Sequence, residues 1–255
     1  MTRWQLIIEY DGTTLKGLQR QQHLPTVQSL IEQAIFKFCG ETITLQAAGR
    51  TDAGVHALAM SVHIDLARSS NSHEIMGALN AYLRGSPVVV LEVIKQNDDF
   101  HARFSATKRH YYYHILNRPA PSVLLKNRAW HVAFPLDIAL MQRAADDLAG
   151  HHDFTSFRAS ECQAQSPVKT LDQLEIHAQG EHVKIYAAAK SFLHHQVRNM
   201  VGTLVEIGKH KRASDSIAEI LNAKDRSKAG VTAPAHGLYF LKASYGDRQA
   251  NHIKQ

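Results

Sequence analysis

A chain of 255 residues, 44% of them hydrophobic and 20% charged, holds enough apolar material for one large core or two small ones, which excludes a disordered or fibrous chain. Its 29 Lys and Arg against 23 Asp and Glu leave a formal charge of +6, a mild basic excess that favours polyanionic partners without naming one. Two cysteines, Cys39 and Cys162, far apart and outside any CxxC, argue against a disulfide scaffold or a thiolate zinc site and fit a reducing compartment.

The opening "MTRWQLIIEYDG" is interrupted by Glu9 and Asp11 and does not read as a signal peptide. No apolar run approaches the roughly 20 residues of a membrane span, so the expectation is a soluble cytoplasmic protein. Within that opening, Trp4, Leu6, Ile8 and Tyr10 alternate with Gln5, Ile7 and Glu9, the period of a strand. Pro25-Thr26 starts a helix with Val27, Leu30, Ile31, Ala34, Ile35 and Phe38 on its apolar face, closed by Gly40. Strand-like runs at 42–48 and 57–66 are joined by the turn GRTDAGVH. Asn71-Ser72-His73-Glu74 then opens a second helix, which Gly85-Ser86-Pro87 ends, and VVVLEVI follows as a strand.

The order β-α-β-β-α-β recurs in the second half. HYYYHIL (110–116) is a strand, Asp137 caps a helix stopped at Gly150, and strands at 168–178 and 181–189 flank a Gln179-Gly180 turn. A helix from 191 to 208, a small one near 214–223 and a last strand at 237–245 complete it. The predicted organisation is therefore two ferredoxin-like halves, 1–105 and 106–245, with a polar tail at 246–255. Side by side they make an α+β fold with one mainly antiparallel sheet, helices on one face and a central cleft. The repetition is one of element order, with no residue-level repeat. Two long connections, 117–136 and 151–167, are of a length that often carries function.

Common cofactor signatures are missing: there is no GxxxxGK[ST], no GxGxxG after a strand, no GxSxG and no HExxH. His194 and His195 are adjacent, and on the expected helix their side chains diverge by about 100°, so the prediction is no metal and no cofactor. What remains is the turn itself. A lone Asp52 in a turn ordinarily bonds nearby backbone N–H groups, and a lone Arg50 is ordinarily solvated. Here, however, both sit on one turn between inner strands. Arg103 and Arg109 lie among Phe100, Phe104 and Tyr111, and Arg198 lies on an otherwise apolar helix face where a charge needs a partner. These residues point to a polyanion-binding protein with a paired carboxylate.

"AGRTDAGVHA" (48–57) resembles the signature of the TruA family of tRNA pseudouridine synthases. Similar blocks run through the chain in the family's order: "YDGTTLKGLQRQ" (10–21), "TVQSLIEQAI" (26–35), "DDFHARFSATKRHYYYHI" (98–115), "DFTSFRA" (153–159), "FLHHQVRNMVG" (192–202) and "HGLYFL" (236–241). The resemblance implies two ferredoxin-like halves around an RNA-binding cleft, and isomerisation of uridine to pseudouridine at positions 38 to 40 of the tRNA anticodon stem-loop. It implies no cofactor or metal, and a homodimer. It assigns Asp52 as nucleophile, Arg50 as the side chain that enters the stack left by the flipped base, Tyr111 as the ring against the target base, and Arg198 as the basic partner of the carboxylate. Strand alternation puts Tyr111 and Tyr113 on the face opposite Tyr112.

The family's "GWQ" reads Gly17-Leu18-Gln19 here, and Leu15 replaces the usual aromatic before it, which bears on local RNA contact and not on the chemistry. Two rival readings differ in class. A non-catalytic protein with paired RRM-like halves would want an RNP1-like string, and none occurs. A carboxylate-dependent glycosidase would want a second carboxylate beside Asp52, and Asp65 lies thirteen residues further along a strand.

Overall fold

The computed structural model describes residues 1–246, so the expected tail beyond Gly246 lies outside the described residues. Contacts divide the chain into two compact units: Met1–Arg109 together with the segment from Tyr239, and His110–Leu238. Among the described residues there are ten strands and five α-helices, and the fold class is α+β, as the sequence predicts.

The first unit contains β1 (Thr2–Tyr10), α1 (Val27–Cys39), β2 (Gln46–Ala47), β3 (His56–Leu66), α2 (Ser72–Tyr82) and β4 (Val88–Gln96). Its strands run in the order β4-β1-β3, antiparallel throughout, with β2 antiparallel on β3. The closing strand β10 (Leu238–Ser244) pairs in parallel with β3 through Tyr239↔His56 and Phe240↔Ala57. Both helices begin where a side chain satisfies free N–H groups of the first turn. Thr26 accepts from the Ser29 N–H, and Asn71 accepts from the Glu74 N–H. Gly40, at φ 75°, closes α1 in the left-handed conformation.

Trp4, Leu6, Ile8 and Tyr10 are all buried, as their alternation requires. The opposite face of the same strands is also covered, but by polar groups bonded to one another. Gln5 Nε2 donates to Ser61 Oγ (2.8 Å), Gln96 Nε2 donates to Gln5 Oε1 (2.7 Å), and the Ala102 N–H donates to His63 Nδ1 (3.1 Å). The covering segment is 97–106, whose Phe100, Ala102 and Ala106 are buried. Buried polar side chains on this face are thus satisfied in pairs, which keeps their desolvation affordable.

The second unit contains β5 (Lys108–Asn117, all but its first two residues), β6 (Trp130–Val132), α3 (Ile138–Leu148), β7 (Gly150–Asp153), β8 (Val168–Gln179), β9 (His182–Ala189), α4 (Gln196–Gly208) and α5 (Ser216–Ala223). Its strand order is β5-β9-β8-β7, with β6 parallel on β5. Asp137 caps α3 by accepting from the Leu140 N–H (2.9 Å).

Three local expectations are corrected. The run 42–48 pairs as a strand only over Gln46–Ala47, because the Leu45 N–H turns instead to Glu32 Oε1 of α1 (2.9 Å). The helix expected from 191 starts at Gln196, since His195 sits at φ 61° and the Gln196 side chain folds back to accept from the Leu193 N–H (2.8 Å). The connections 117–136 and 151–167 hold the short strand β6 and most of the short strand β7.

Candidate active site

The segment 48–57 leaves β2 and enters β3 under restraint from several neighbours. At its start the Ala48 N–H donates to Ser61 O (2.8 Å), and Ala48 O accepts from Nε (3.1 Å) and Nη2 (2.9 Å) of Arg109. Arg109 is only 9% exposed, and its guanidinium also donates to the carbonyls of Ala106 and Arg103. An arginine that the sequence suggests for polyanion contact is therefore a buried clamp. Its planar fork suits several carbonyls at once, which a lysine could not match.

Thr51 is held next. Its Oγ1 lies 2.7 Å from the Tyr10 hydroxyl, and its carbonyl accepts from the Leu18 N–H (3.1 Å). This second contact needs Gly17, which adopts φ +91° and lies so close that a Cβ there would sit 2.7 Å from Thr51 O. The segment 10–21 thus supports 48–57 from beneath. Leu15 and Leu18, both 3% exposed, pack into that support, so the two departures from the family's pattern fall on buried positions.

Asp52 to Val55 form a tight turn, closed by the Val55 N–H donating to Asp52 O (3.2 Å). Gly54 at φ 82° occupies the third position, where a type II turn requires a positive φ. After the turn, His56 Nδ1 accepts from the Gly12 N–H (3.1 Å), and its ring stacks on Tyr239 at 4.6 Å. The same nitrogen lies 3.2 Å from Asp11 Oδ1. A nitrogen that accepts from an amide cannot also donate, so the amide contact assigns the proton to Nε2 and the carboxylate is only a neighbour. Within this frame Asp52 is half-buried and Arg50 is exposed. A carboxylate on a loop held this firmly presents its charge in one geometry, the requirement for a nucleophile or a cation stabiliser.

Tyr111 and Arg198 belong to the second unit. Tyr111 is 9% exposed on β5 and meets Phe192 edge to face at 5.2 Å, so its ring is fixed by packing. Tyr113, on the same strand face, is fully buried and its hydroxyl donates to Pro234 O (2.7 Å). Burial pushes the Tyr113 phenol well up, and the nearby Arg198 charge opposes this only in part. Tyr112 lies on the other face against Tyr186, so the expected alternation holds.

Arg198 is half-buried on α4, where Nε donates to Ala233 O (2.8 Å) and its own carbonyl accepts from the Ala233 N–H (3.1 Å). Asn199 beside it is fully buried: Nδ2 donates to Phe157 O (2.8 Å), while Oδ1 accepts from Arg226 Nη2 (3.1 Å) and the Thr232 hydroxyl (2.7 Å). The segment from Ala229 to Pro234 is thereby strapped along α4, which sets the direction of Arg198. Sequence alone does not single out Asn199 as the anchor of this segment, although its place in the FLHHQVRNMVG block marks it.

His194 and His195 precede the helix, with rings 4.0 Å apart, and the His194 N–H points at Cys162 Sγ (3.4 Å). The divergence expected of two neighbours on a helix does not apply to them.

The profile of the tRNA pseudouridine synthase family matches residues 6–105 and 144–246. Curated relatives named tRNA pseudouridine synthase A align over 245 residues, 96% of this chain. They include proteins of Rhodospirillum centenum (54% identical, 100% of that protein covered), Paramagnetospirillum magneticum (51%, 96% covered) and Rhodospirillum rubrum (50%, 88% covered). The matched ranges contain the 48–57 loop and its support from 10–21, together with the α4 strap. This chain therefore belongs to the tRNA pseudouridine synthase family, an isomerase of the TruA type.

Proposed function

We propose that the chain converts uridine to pseudouridine at positions 38, 39 and 40 of the tRNA anticodon stem-loop, with Asp52 as nucleophile. The N1–C1′ glycosidic bond breaks, uracil turns, and a C5–C1′ bond forms; the C5 proton leaves and N1 gains one. Atoms and electrons balance without oxidant, reductant or water, so no cofactor is needed.

The observation that carries the reading is the restraint of the 48–57 loop. Four backbone and side-chain anchors around one half-buried carboxylate are more than a turn requires. A carboxylate suits the task because it attacks carbon, or steadies a ribosyl cation, and then departs. Arg50 enters the stack as the base leaves, offsetting part of an extrusion cost of a few kcal/mol. Tyr111 packs against the extruded base, and Arg198 keeps the carboxylate ionised. The active form is a cytoplasmic homodimer, with one tRNA crossing both subunits.

The test is incubation of anticodon stem-loop transcripts with the protein and no cofactor, followed by mapping of pseudouridine. Conversion at 38–40 by the wild type and its loss in Asp52→Asn support the reading. Conversion elsewhere, or an active Asp52→Asn, overturns it. Light scattering that finds an active monomer would remove the dimer.

A further inference from the structure

In the second unit a cavity of about 580 Å³ opens beside the start of α3 and the end of α4. Phe134, Leu136 and Asp137 line one side, and Lys209, His210 and Lys211 the other. The volume is that of a small-ligand site. Its walls are locally firm, since the Asp137 N–H donates to Gly208 O (2.9 Å) and joins the two helix ends.

The charges here do not balance. Of the run Lys209-His210-Lys211-Arg212, Arg212 is committed to Glu206, Nε to Oε2 at 2.7 Å. Glu206 also accepts from the Val231 N–H (3.0 Å), so both of its oxygens are engaged. Asp137 uses Oδ1 to cap α3, and its other oxygen lies 3.9 Å from His210. Among the described residues neither Lys209 nor Lys211 forms an ion pair. Burial first and the neighbouring Lys211 next push the Lys209 ammonium down, and Glu206, whose oxygens are held by Arg212 and the Val231 N–H, opposes them only in part. Cations at a helix C-terminus are favoured by the dipole, but that effect fades within the last turn and does not require two lysines around one cavity.

Aromatic surface accompanies the charge. Lys209 Nζ lies 5.8 Å from the Phe134 ring centre and 6.0 Å from that of Trp130. Phe134 is nevertheless 70% exposed, so one face of a large ring stays open beside the lysines. Cations that need an anion, next to an uncovered ring, match the two halves of a nucleotide.

We propose that this cavity is a second RNA-binding site, taking a phosphodiester of the tRNA between Lys209 and Lys211 and stacking the adjoining base on Phe134. The inference rests on tRNA being the substrate, and all of its residues lie in the second unit, apart in sequence from the 48–57 loop. Its effect is on affinity and not on the chemical step.

The experiment is a salt titration of tRNA binding by the full chain between about 50 and 300 mM, with pseudouridine formation followed in parallel. Lys209→Gln combined with Lys211→Gln should weaken binding about tenfold at physiological salt and lower the log–log slope by one to two. KM should rise while kcat at saturating tRNA stays within about twofold. Lys209→Arg with Lys211→Arg should restore the slope, and Phe134→Ala should weaken binding severalfold at unchanged slope. A glutamine pair that binds like wild type overturns the site, and an unaffected Phe134→Ala overturns the stacked base. A wild type that binds tRNA but makes no pseudouridine would instead overturn the functional reading, because the slope difference is read from binding alone.

Discussion

The Tyr10 hydroxyl at the end of β1 lies 2.7 Å from Oγ1 of Thr51, the residue before Asp52, and both side chains are buried. A single hydroxyl pair thus joins the first strand to the turn that carries the carboxylate. Tyr10→Phe removes one partner and leaves Thr51 to find another in a buried site, at a cost of about 1–2 kcal/mol. The expected fall in Tm is a few degrees. Turnover should fall more than tRNA binding, because the loop loses definition while the RNA surface keeps its charge. Equal falls in both would mean that the bond only adds stability.

Arg109 makes a contrasting case. Its guanidinium donates to the carbonyls of Ala48, Ala106 and Arg103, so its charge is committed inside the first unit. Arg109→Lys keeps the charge but not the fork, and several charge-assisted hydrogen bonds are lost, each worth about 1.5–3 kcal/mol. A drop in Tm of several degrees is expected, with the salt slope of tRNA binding unchanged. A reduced slope with an unchanged Tm would show that Arg109 contacts phosphate after all.

How far these features can be read from sequence follows from their range. Thr26, Asn71 and Asp137 cap their helices as read, because a cap is settled within four residues. Tyr111 and Tyr113 fall on one face because strand alternation is local. The start of α4 is not local: the His194 N–H is drawn to Cys162, thirty-two residues away, and the chain turns at His195 before the helix begins. Strands of three or four residues, such as β6 and β7, are too short for a period to register. Arg109 and Arg103 look alike in sequence, and only the fold shows that one of them faces carbonyls.

Acid stability should report the polar face of the first unit. His63 is pushed down to about 4 by burial first, then by His101 and Arg3, with Asp65 opposing. Its Nδ1 accepts from the Ala102 N–H, and a protonated ring would set a donor against that donor. The unfolded chain therefore binds the proton more readily, and stability is lost as pH falls from about 6.5 towards 4. The expected loss is about 1–3 kcal/mol across that window. His63→Asn keeps an acceptor near Nδ1 and should flatten this part of the pH–stability curve. An unaltered curve would assign the slope to other groups, such as His114, which is also pushed down to about 4.

Arg50, exposed on the loop, should matter most where the target uridine is paired. If it fills the stack left by the flipped base, a paired base has more to lose on leaving. Arg50→Ala should then depress modification at the stem positions 39 and 40 more than at the loop position 38. Mapping each site separately decides it, and an equal loss at all three would reduce Arg50 to a phosphate contact.

Asp52 gives the sharpest test of the proposed reaction. Asp52→Asn preserves the size of the side chain and leaves the Val55 N–H bond to the residue 52 carbonyl in place, so the turn should survive. It removes the attacking charge. Binding of tRNA should change little, while turnover should fall by several orders of magnitude, as expected when covalent catalysis is lost. Arg198→Ala should lower turnover nearly as far by another route. If Arg198 is the basic partner of the carboxylate, its removal lets the carboxylate protonate more readily, so activity should shift to higher pH before it is lost. Arg198→Lys keeps a charge but not the hydrogen bond geometry at Ala233, and should recover part of the activity. If the two residues act through one pair, the double variant should be little worse than Asp52→Asn alone. Full additivity would separate their roles and leave Arg198 as the anchor of the 229–234 strap. Turnover by Asp52→Asn within about tenfold of wild type, roughly 1.4 kcal/mol of barrier, would instead leave 48–57 as a well-anchored turn with no part in the chemistry.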